Sequence, residues 1–416
     1  MKKTVVELFA GVGGFRVGLN NIKCFDNSGH AVEKGKWKFV WANQWEPSTK
    51  VQHAFSCYNL RFPDDNNSNI DITLVDKEKI PNHTLLCGGF PCQDYSVAHT
   101  LSKARGIEGK KGVLWWQIND ILKAKMPPFV LLENVDRLIK SPVKQRGRDF
   151  GVMLRCLFEA GYAMEWRVIN AADYGHPQRR RRIFIYAYHK STLYYEKLRH
   201  SKPIDIITEL GVFAKAFPVE NVKQSSIKEF NFVKGYKDLV KVSDNFSAIF
   251  ENTGYMFEGK VYTVKTAPKT VSSVKLKDIV IKDGVDSHYF LSKEKKEKYK
   301  YLRGSKKIPR KGKDGFEYLY AEGSMSPYDD LSLPARTMLT SEGTTNRSTH
   351  IILDPKQNEL RILTPIECER INEFPDNWTD TGMPEKRRYF MMGNALVCGV
   401  IKKIGKQLSK IIDEEN

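Results

Sequence analysis

The stretch TVVELFAGVGGF, residues 4–15, joins a short apolar run directly to a turn that contains three glycines. A run of β-branched and apolar residues, interrupted here by Glu7 alone, is typical of a buried strand. Glycines directly after a strand let the backbone turn sharply and approach a ligand closely. The stretch therefore predicts a strand, a ligand-binding turn and a following helix, although its spacing is not the GxGxxG of dinucleotide-binding proteins.

Further apolar runs follow this stretch and alternate with segments that have helical periodicity. The predicted strands are 39–42, 84–87, 129–133 and 183–188, and the predicted helices include 47–58, 113–125 and 150–160. Continuous apolar strands that alternate with helices are typical of a parallel sheet covered on both faces. We therefore predict an α/β fold for the first half of the chain.

The composition describes a basic globular protein. The chain has 416 residues, and 67 Lys plus Arg against 49 Asp plus Glu give a net charge of +18. This length allows two or three domains, and no apolar run reaches the roughly 18 residues that a transmembrane helix needs. A charge of this sign and size indicates a polyanionic partner, most simply nucleic acid.

The seven cysteines are odd in number, and none of them form CxxC pairs. A disulfide framework or a zinc ribbon would show tighter, paired spacing. The cysteine pattern therefore predicts a protein of the reducing cytoplasm, with mostly buried thiols and no metal site.

The segment from about residue 190 to 326 is Lys-rich and has no strand–helix rhythm. Within it, Ser292–Lys313 has eleven basic and two acidic residues, a local charge of +9, and aromatic residues surround it. Two interpretations stay open: a solvated surface loop, or a surface that contacts phosphates.

Three motifs carry residues that are suited to catalysis. Cys92 follows a predicted buried strand in the loop GGFPCQ, where active sites of open α/β sheets lie, and its thiolate is a candidate nucleophile. Glu133 ends the next buried strand, where a carboxyl group is costly unless it has a partner or a task. In QRRRR, residues 178–182, alternate residues of a strand share a face, so Arg180 and Arg182 are expected to point into one site.

Two shorter segments are candidates for nucleotide binding. Gln44, Trp45 and Glu46 end the second predicted strand, where a polar group can bind ribose hydroxyls and an indole ring can stack on adenine. Asp71 and Ile72 are a further candidate contact to an adenine amino group.

Together these motifs resemble those of the C5-cytosine DNA methyltransferases. The resemblance covers nearly the whole chain outside the Lys-rich segment, and the motifs occur in the family's usual order. They are the glycine turn, PCQ at 91–93, ENV at 133–135, QxRxR at 178–182, LPART at 333–337, RILTPIE at 361–367 and GNA at 393–395. One departure concerns the residue before Trp45, which is usually Glu in the family and is Gln44 here; either Gln44 or Glu46 would then bind the ribose.

The resemblance implies a fold of two domains. A doubly wound, Rossmann-like methyltransferase domain would comprise residues 1–189 and 385–416. A smaller, irregular β-containing target-recognition domain would comprise residues 190–384, with a hinge back to the catalytic domain.

The resemblance also implies an activity: transfer of a methyl group from S-adenosylmethionine to C5 of a flipped-out cytosine in a specific double-stranded DNA sequence, through a covalent bond between Cys92 and C6. The enzyme would be a cytoplasmic monomer without metal or membrane contact, paired in function with a separate restriction endonuclease. The implied catalytic residues are Cys92, Glu133, Arg180 and Arg182. The implied cofactor-binding residues are Phe9, Gly11, Gly13, Gly14, Gln44, Trp45, Asp71, Ile72, Pro91 and Asn394.

The main alternative keeps this fold and changes the substrate to tRNA. The long segment between the Arg motif and Pro334 favours duplex DNA, because reading several base pairs needs elements that reach into a groove. A catalytically inactive DNA-binding regulator would be expected to lose Cys92 or Glu133, and both are present. A nicotinamide dehydrogenase would explain only the glycine turn.

Overall fold

The structure is a computed structural model, and it describes residues 1–47, 49–63, 66–90, 114–236, 238–311 and 315–415. Its largest element is a ten-stranded sheet with the strand order β3-β2-β1-β4-β5-β7-β6-β9-β10-β8. The strands are β1 Thr4–Leu8, β2 Lys38–Asn43, β3 Asn67–Ser68, β4 Leu85–Gly89, β5 Phe129–Val135, β6 Tyr162–Asn170, β7 Arg181–His189, β8 Lys228–Asn231, β9 Thr253–Phe257 and β10 Lys260–Val264.

Two smaller sheets and a set of α-helices complete the described chain. The small sheets pair β11 Lys306–Lys311 with β12 Glu317–Glu322, and β13 Ile351–Leu353 with β14 Leu360–Ile362. The α-helices are Gly14–Leu19, His53–Arg61, Leu114–Lys125, Arg148–Glu159, Leu193–Arg199, Pro203–Asp205, Val212–Ala216, Phe232–Gly235, Leu239–Asn245, Leu276–Ile279, Lys293–Arg303, Pro365–Ile371, Glu385–Asn394 and Cys398–Glu414. None of these described helices is long and apolar enough to cross a membrane.

The prediction of an α/β fold with both sheet faces covered is confirmed. In β1, Val5 packs into one core and Val6 into the other, on opposite faces of the sheet. The first face carries the helices Gly14–Leu19 and Cys398–Glu414. These two helices lie so close together that a Cβ on Gly18 would be 2.6 Å from the carbonyl oxygen of Cys398. The absence of a side chain at Gly18 therefore permits the contact. The C-terminal helix is thus part of the same core as the first strand.

The expectation of a parallel sheet is confirmed for β1 to β5 and wrong for the strands beyond them. Strands β1 to β5 pair in parallel, but β7 is antiparallel to both β5 and β6. The cause is β6, which the sequence patterns did not indicate. It is joined to β7 by residues 171–180 alone, and such a short connection permits an antiparallel pair but not a helical crossover.

Strand β6 is not predicted from the sequence because two charged residues interrupt its apolar run. Glu165 accepts hydrogen bonds from the backbone N–H groups of Val212 and Phe213, at 3.0 and 3.3 Å. Arg167 donates to the carbonyl oxygens of Phe213 and Phe217, at 3.0 and 2.6 Å. Both side chains are buried, and their charges satisfy the ends of a neighbouring helical segment.

Part of the predicted recognition segment joins the large sheet, since β9 pairs with β6 and continues to β10 and β8. A separate small core follows at Leu291, Tyr299 and Ile351, between the helix Lys293–Arg303 and the sheet β13–β14. The division of the chain at residues 190 and 384 stays a prediction.

Arg361 offers a test of what holds the last third of the chain together. It is fully buried and donates to Asp354 at 2.7 Å and to both carboxylate oxygens of Glu367 at 2.8 Å. We expect Arg361→Met to lower the free energy of unfolding by about 3–5 kcal/mol, because it leaves two buried carboxylates without their cation. Urea denaturation measures this loss.

The matched control is Arg370→Met, since Arg370 binds Asp376 with the same two-pronged geometry at 2.7 and 2.6 Å but in partial contact with solvent. Its expected loss is about 1 kcal/mol. Equal losses in the two variants would contradict the role of burial.

Candidate active site

The glycine turn lies at the carboxyl end of β1, the central parallel strand. Phe9, Gly11 and Gly13 all have positive φ angles, of 53, 55 and 90°. A Cβ on Gly13 would lie 2.7 Å from the ring of Phe62, so the turn requires glycine there. A Cβ on Gly11 would meet no atom of the described residues within 4 Å, so these residues leave that side of the turn open.

The structure brings Gln44 onto this turn. Its Oε1 accepts a hydrogen bond from the backbone N–H of Gly11 at 2.7 Å. Trp45, the next residue, is 37% exposed. The Glu46 N–H donates to Gln52 at 2.7 Å, while its Oε2 is buried with no hydrogen-bond partner among the described residues. Gln44 therefore helps to fix the conformation of the glycine turn, and one carboxylate oxygen of Glu46 is left to accept a hydrogen bond from a ligand.

Asp71 and Ile72 lie beside the same edge. Asn43, at the end of β2, donates to the carbonyl oxygen of Ile70 at 2.9 Å and so ties this loop to the sheet. Asp71 accepts from the N–H of Thr73 at 3.0 Å, and Ile72 is buried. The glycine turn, the end of β2 and the loop after β3 therefore form one continuous rim.

Glu133 lies near the carboxyl end of β5, two residues before its last residue Val135, and opposite Gly89 of β4. Its Oε1 is 2.9 Å from Nε of Arg182, and its side chain is 13% exposed. Burial raises the pKa of Glu133, and the charges of Arg182 and Arg180 act against that rise. A Cβ on Gly89 would lie 3.1 Å from Oε2 of Glu133, so the glycine makes room for the carboxyl group.

The next residue along β5 holds the loop that leads to the candidate nucleophile. Asn134 donates from Nδ2 to the carbonyl oxygen of Phe90 at 2.9 Å. Pro91 and Cys92 follow Phe90 directly in the chain and lie outside the described residues, as does the rest of the segment to residue 113. The described part of the loop therefore ends against Glu133 and Asn134.

The alternation predicted for the arginine run is observed, since Arg179 and Arg181 are exposed while Arg180 is buried. The two inward residues differ in their contacts, however. Arg182 faces Glu133, whereas Arg180 donates to the carbonyl oxygens of Met338, at 3.1 Å, and Gly393, at 3.0 Å. Burial, followed by the charge of Arg182, lowers the pKa of Arg180 to about 9.

Asn394 is brought to this site by Arg180, which also donates to its carbonyl oxygen at 3.3 Å. Asn394 ends the helix Glu385–Asn394 and is exposed. Two residues later, Leu396 packs against Gly14, because a Cβ on Gly14 would lie 3.0 Å from its side chain. The GNA motif and the glycine turn, far apart in the sequence, are therefore neighbours.

Sequence reasoning missed Glu7, which is completely buried in β1 next to the glycine turn. Its Oε2 accepts a hydrogen bond from the hydroxyl of Tyr58 at 3.0 Å, and its Oε1 has no hydrogen-bond partner among the described side chains. Burial raises the pKa of Glu7 to about 8. The signal for this residue was a single acidic residue inside an apolar strand.

A second missed contact closes the turn from the other end of the chain. Trp378 is fully buried and donates from its indole nitrogen to the carbonyl oxygen of Val12 at 2.8 Å. No local pattern around residue 378 indicates this bond.

Comparison with known proteins gives consistent results across the chain. Residues 3–410 match the family model for C-5 cytosine-specific DNA methylase. The chain is 53% identical over 413 residues to type II methyltransferase M.Sau3AI of Staphylococcus aureus, an alignment that covers 99% of this chain and 96% of that protein. It is 31% identical over 203 residues to type II methyltransferase M.HhaI of Haemophilus parahaemolyticus, covering 49% of this chain and 54% of that protein.

Solved structures share the fold at low sequence identity. The crystal structure of a Spodoptera frugiperda DNMT2 mutant matches with a TM-score of 0.58 and 15% identity, over 98% of this chain and 99% of that chain. A methyltransferase of Entamoeba histolytica, EhMeth, matches with the same TM-score and identity, over 100% of this chain and 99% of that chain. At this identity the likeness concerns the fold alone.

Proposed function

Because the chain belongs to the C-5 cytosine-specific DNA methylase family and is thus a DNA (cytosine-5-)-methyltransferase, we propose how it acts and on what. It transfers a methyl group from S-adenosylmethionine to C5 of a flipped-out cytosine within a specific double-stranded DNA sequence. The reaction passes through a covalent bond between Cys92 and C6 of the base. In the cell the modification protects host DNA from a separate restriction endonuclease.

The observation that carries this proposal is the Glu133–Arg182 pair beside the loop that leads to Cys92. The carboxyl group lies opposite Gly89, three residues before the cysteine in the chain. The strand that leads toward Cys92 and the strand that carries Glu133 are thus adjacent and parallel, and both end at the carboxyl edge of the sheet, where α/β enzymes bind their substrates.

The rim around the glycine turn fits S-adenosylmethionine. The open side of Gly11 offers a backbone approach, and the partly exposed Trp45 offers a stacking surface. One carboxylate oxygen of Glu46, which has no hydrogen-bond partner among the described residues, offers an acceptor for hydroxyl groups. The bound cofactor supplies an electrophilic methyl group. The residues that would hold it are Phe9, Gly11, Gly13, Gly14, Gln44 or Glu46, Trp45, Asp71, Ile72, Pro91 and Asn394.

The chain's own residues activate the cytosine. The Cys92 thiolate adds to C6, which moves electron density through the ring and makes C5 nucleophilic. Glu133, whose pKa is raised by burial, holds a proton that it donates to N3 as negative charge develops there. Arg182 fixes the carboxyl group of Glu133 and supports that charge. After C5 is methylated, its proton leaves to a base, the Cys92–C6 bond breaks to release the thiolate, and N3 returns its proton to the carboxylate of Glu133.

C5 and C6 are covered by neighbouring bases in a stacked duplex, so the target cytosine must leave the stack to meet Cys92. We place the DNA between the catalytic domain, residues 1–189 and 385–416, and the recognition domain, residues 190–384. Methylation of tRNA is the weaker alternative, because the 53% identity to a type II methyltransferase extends over 99% of the chain.

Trapping on modified DNA tests the covalent step. Duplex DNA that carries 5-fluorocytosine at the target position cannot lose the C5 substituent, so the Cys92–C6 bond should persist once the methyl group has been transferred. We expect a protein–DNA adduct that survives denaturing electrophoresis and requires S-adenosylmethionine. Failure to trap on a duplex whose unmodified form is methylated would contradict the covalent mechanism.

The described part of the basic segment, residues 292–311, contains the helix Lys293–Arg303 and strand β11 rather than an irregular loop. If its exposed lysines contact phosphates, replacing Lys295, Lys298 and Lys300 with Gln should make the salt dependence of DNA binding shallower, by about 0.9 in log–log slope for each lost contact. Fluorescence anisotropy at several salt concentrations measures this slope.

The control replaces Lys402, Lys406 and Lys410 with Gln. These substitutions remove the same charge from the helix Cys398–Glu414, which packs on the large sheet. These substitutions should leave the slope unchanged. An unchanged slope in the first variant as well would show that the basic segment is only a solvated surface.

A further inference from the structure

Strands β11 and β12 form an antiparallel ribbon that no third strand joins among the described residues. The pairing runs from Lys306 opposite Glu322 to Lys311 opposite Glu317. Most of its side chains are exposed, including Leu319 at 63%. The ribbon is therefore not held by a hydrophobic core of its own, and both of its faces are open to a partner.

The base of this β11–β12 ribbon is nevertheless fixed to the rest of the fold. Lys306 donates to the carbonyl oxygen of Leu302 at 2.8 Å and lies 3.3 Å from the carboxylate of Glu322. Arg347 donates to Glu322 at 3.0 Å and to the carbonyl oxygen of Leu302 at 3.3 Å. These contacts hold both strands against the end of the basic helix Lys293–Arg303 and give the ribbon a defined direction.

One face of the ribbon carries a stacked arginine. Register places Arg310 opposite Tyr318, and Ile308 opposite Tyr320, on the same face. The guanidinium of Arg310 lies 3.9 Å from the centroid of the Tyr320 ring. Stacking on an aromatic ring restricts the planar guanidinium while its N–H groups stay available at the edge.

The opposite face is different in character. It carries Lys307, Pro309 and Leu319, together with Lys311 beside Glu317 at 3.7 Å. Its cations are both ammonium groups, of which Lys307 is exposed and Lys311 is paired with a carboxylate. Among the described residues of the ribbon, a guanidinium held by stacking therefore occurs on the Arg310 face only.

We propose that the Arg310 face of the β11–β12 ribbon enters the major groove of the DNA substrate and that Arg310 reads a base edge there. The inference rests on the proposed function and assigns its sequence selectivity to a named element. A two-stranded ribbon fits the major groove, which is about 12 Å wide, and an arginine fork matches the two acceptors O6 and N7 of guanine. The basic helix at its base, with exposed Lys295, Lys298 and Lys300, supplies charge that complements the phosphates on either side.

The test compares selectivity, not activity alone. Bisulfite sequencing first gives the methylated sequence, and duplexes with single base-pair changes in it are then assayed for kcat/KM. We expect Arg310→Ala to lose about ten- to a hundredfold discrimination at one base pair and to keep the wild-type profile at the others. Arg310→Lys should fail to restore it, because an ammonium group lacks the fork.

Lys307→Ala is the matched control, since it removes one cation from the same strand on the opposite face; it should leave the whole profile unchanged. If Arg310→Ala and Lys307→Ala both behave like the wild-type protein, or both weaken all duplexes equally, the ribbon inference is overturned while the proposed function stands. If the wild-type protein methylates no DNA, the proposed function fails and the inference fails with it.

Discussion

Cys92→Ala is expected to abolish methyl transfer, with a loss of about 10⁴-fold or more in kcat, while DNA binding survives. Without the sulfur, no thiolate adds to C6, so C5 of cytosine is not made nucleophilic. Incorporation of labelled methyl groups into DNA measures the loss, and a gel-shift titration measures binding.

Cys24→Ala is the control for this variant, because Cys24 is also a thiol and is exposed. It should retain wild-type turnover. Substantial residual turnover in Cys92→Ala would remove the cysteine from the mechanism, whatever the behaviour of the control.

The second large effect is expected for Glu133→Gln, which keeps the shape of the side chain but removes its acidic proton. We expect kcat to fall by about 10²- to 10³-fold, since proton donation to N3 is lost. Burial raises the pKa of Glu133, so the wild-type carboxyl group keeps its proton to a higher pH than usual. The wild-type kcat should therefore fall as the pH rises through that raised pKa, and this fall should be absent in the variant.

Asp136→Asn makes the same chemical change three residues away, in a carboxyl group that pairs with the exposed Arg181 at 3.2 Å. It should leave kcat and its pH profile near those of the wild-type protein. Equal losses in the two variants, or a pH profile that Glu133→Gln does not alter, would contradict the role of Glu133 as a proton donor.

The sequence predicts the parts of this site that local patterns encode. Gly11 follows β1 closely and Glu133 lies near the end of β5, so the apolar runs alone were enough to place both residues at one edge of the sheet. Period-two alternation separated the inward Arg182 from the exposed Arg181. In these cases the functional residue lies in, or within a few residues of, the same strand whose sequence pattern predicts it.

The remainder depends on contacts between distant segments. The sequence predicts Arg180 in the catalytic centre. The fold shows in addition that its guanidinium donates hydrogen bonds to the carbonyl oxygens of Met338 and Gly393. Strand β6 was missed because its buried charges serve the helix Val212–Ala216, which follows much later in the chain. Hydrogen bonds of this kind leave no periodic trace in the sequence.

Methylation of DNA at C5 by way of Cys92 can be measured by bisulfite sequencing of DNA from cells that express the protein. We expect one short sequence in which the same cytosine resists conversion at nearly every occurrence. We expect no such sequence in cells that express Cys92→Ala. Conversion of every cytosine in cells with the wild-type protein, or protection that persists in the variant, would contradict Cys92-dependent methylation of DNA at C5.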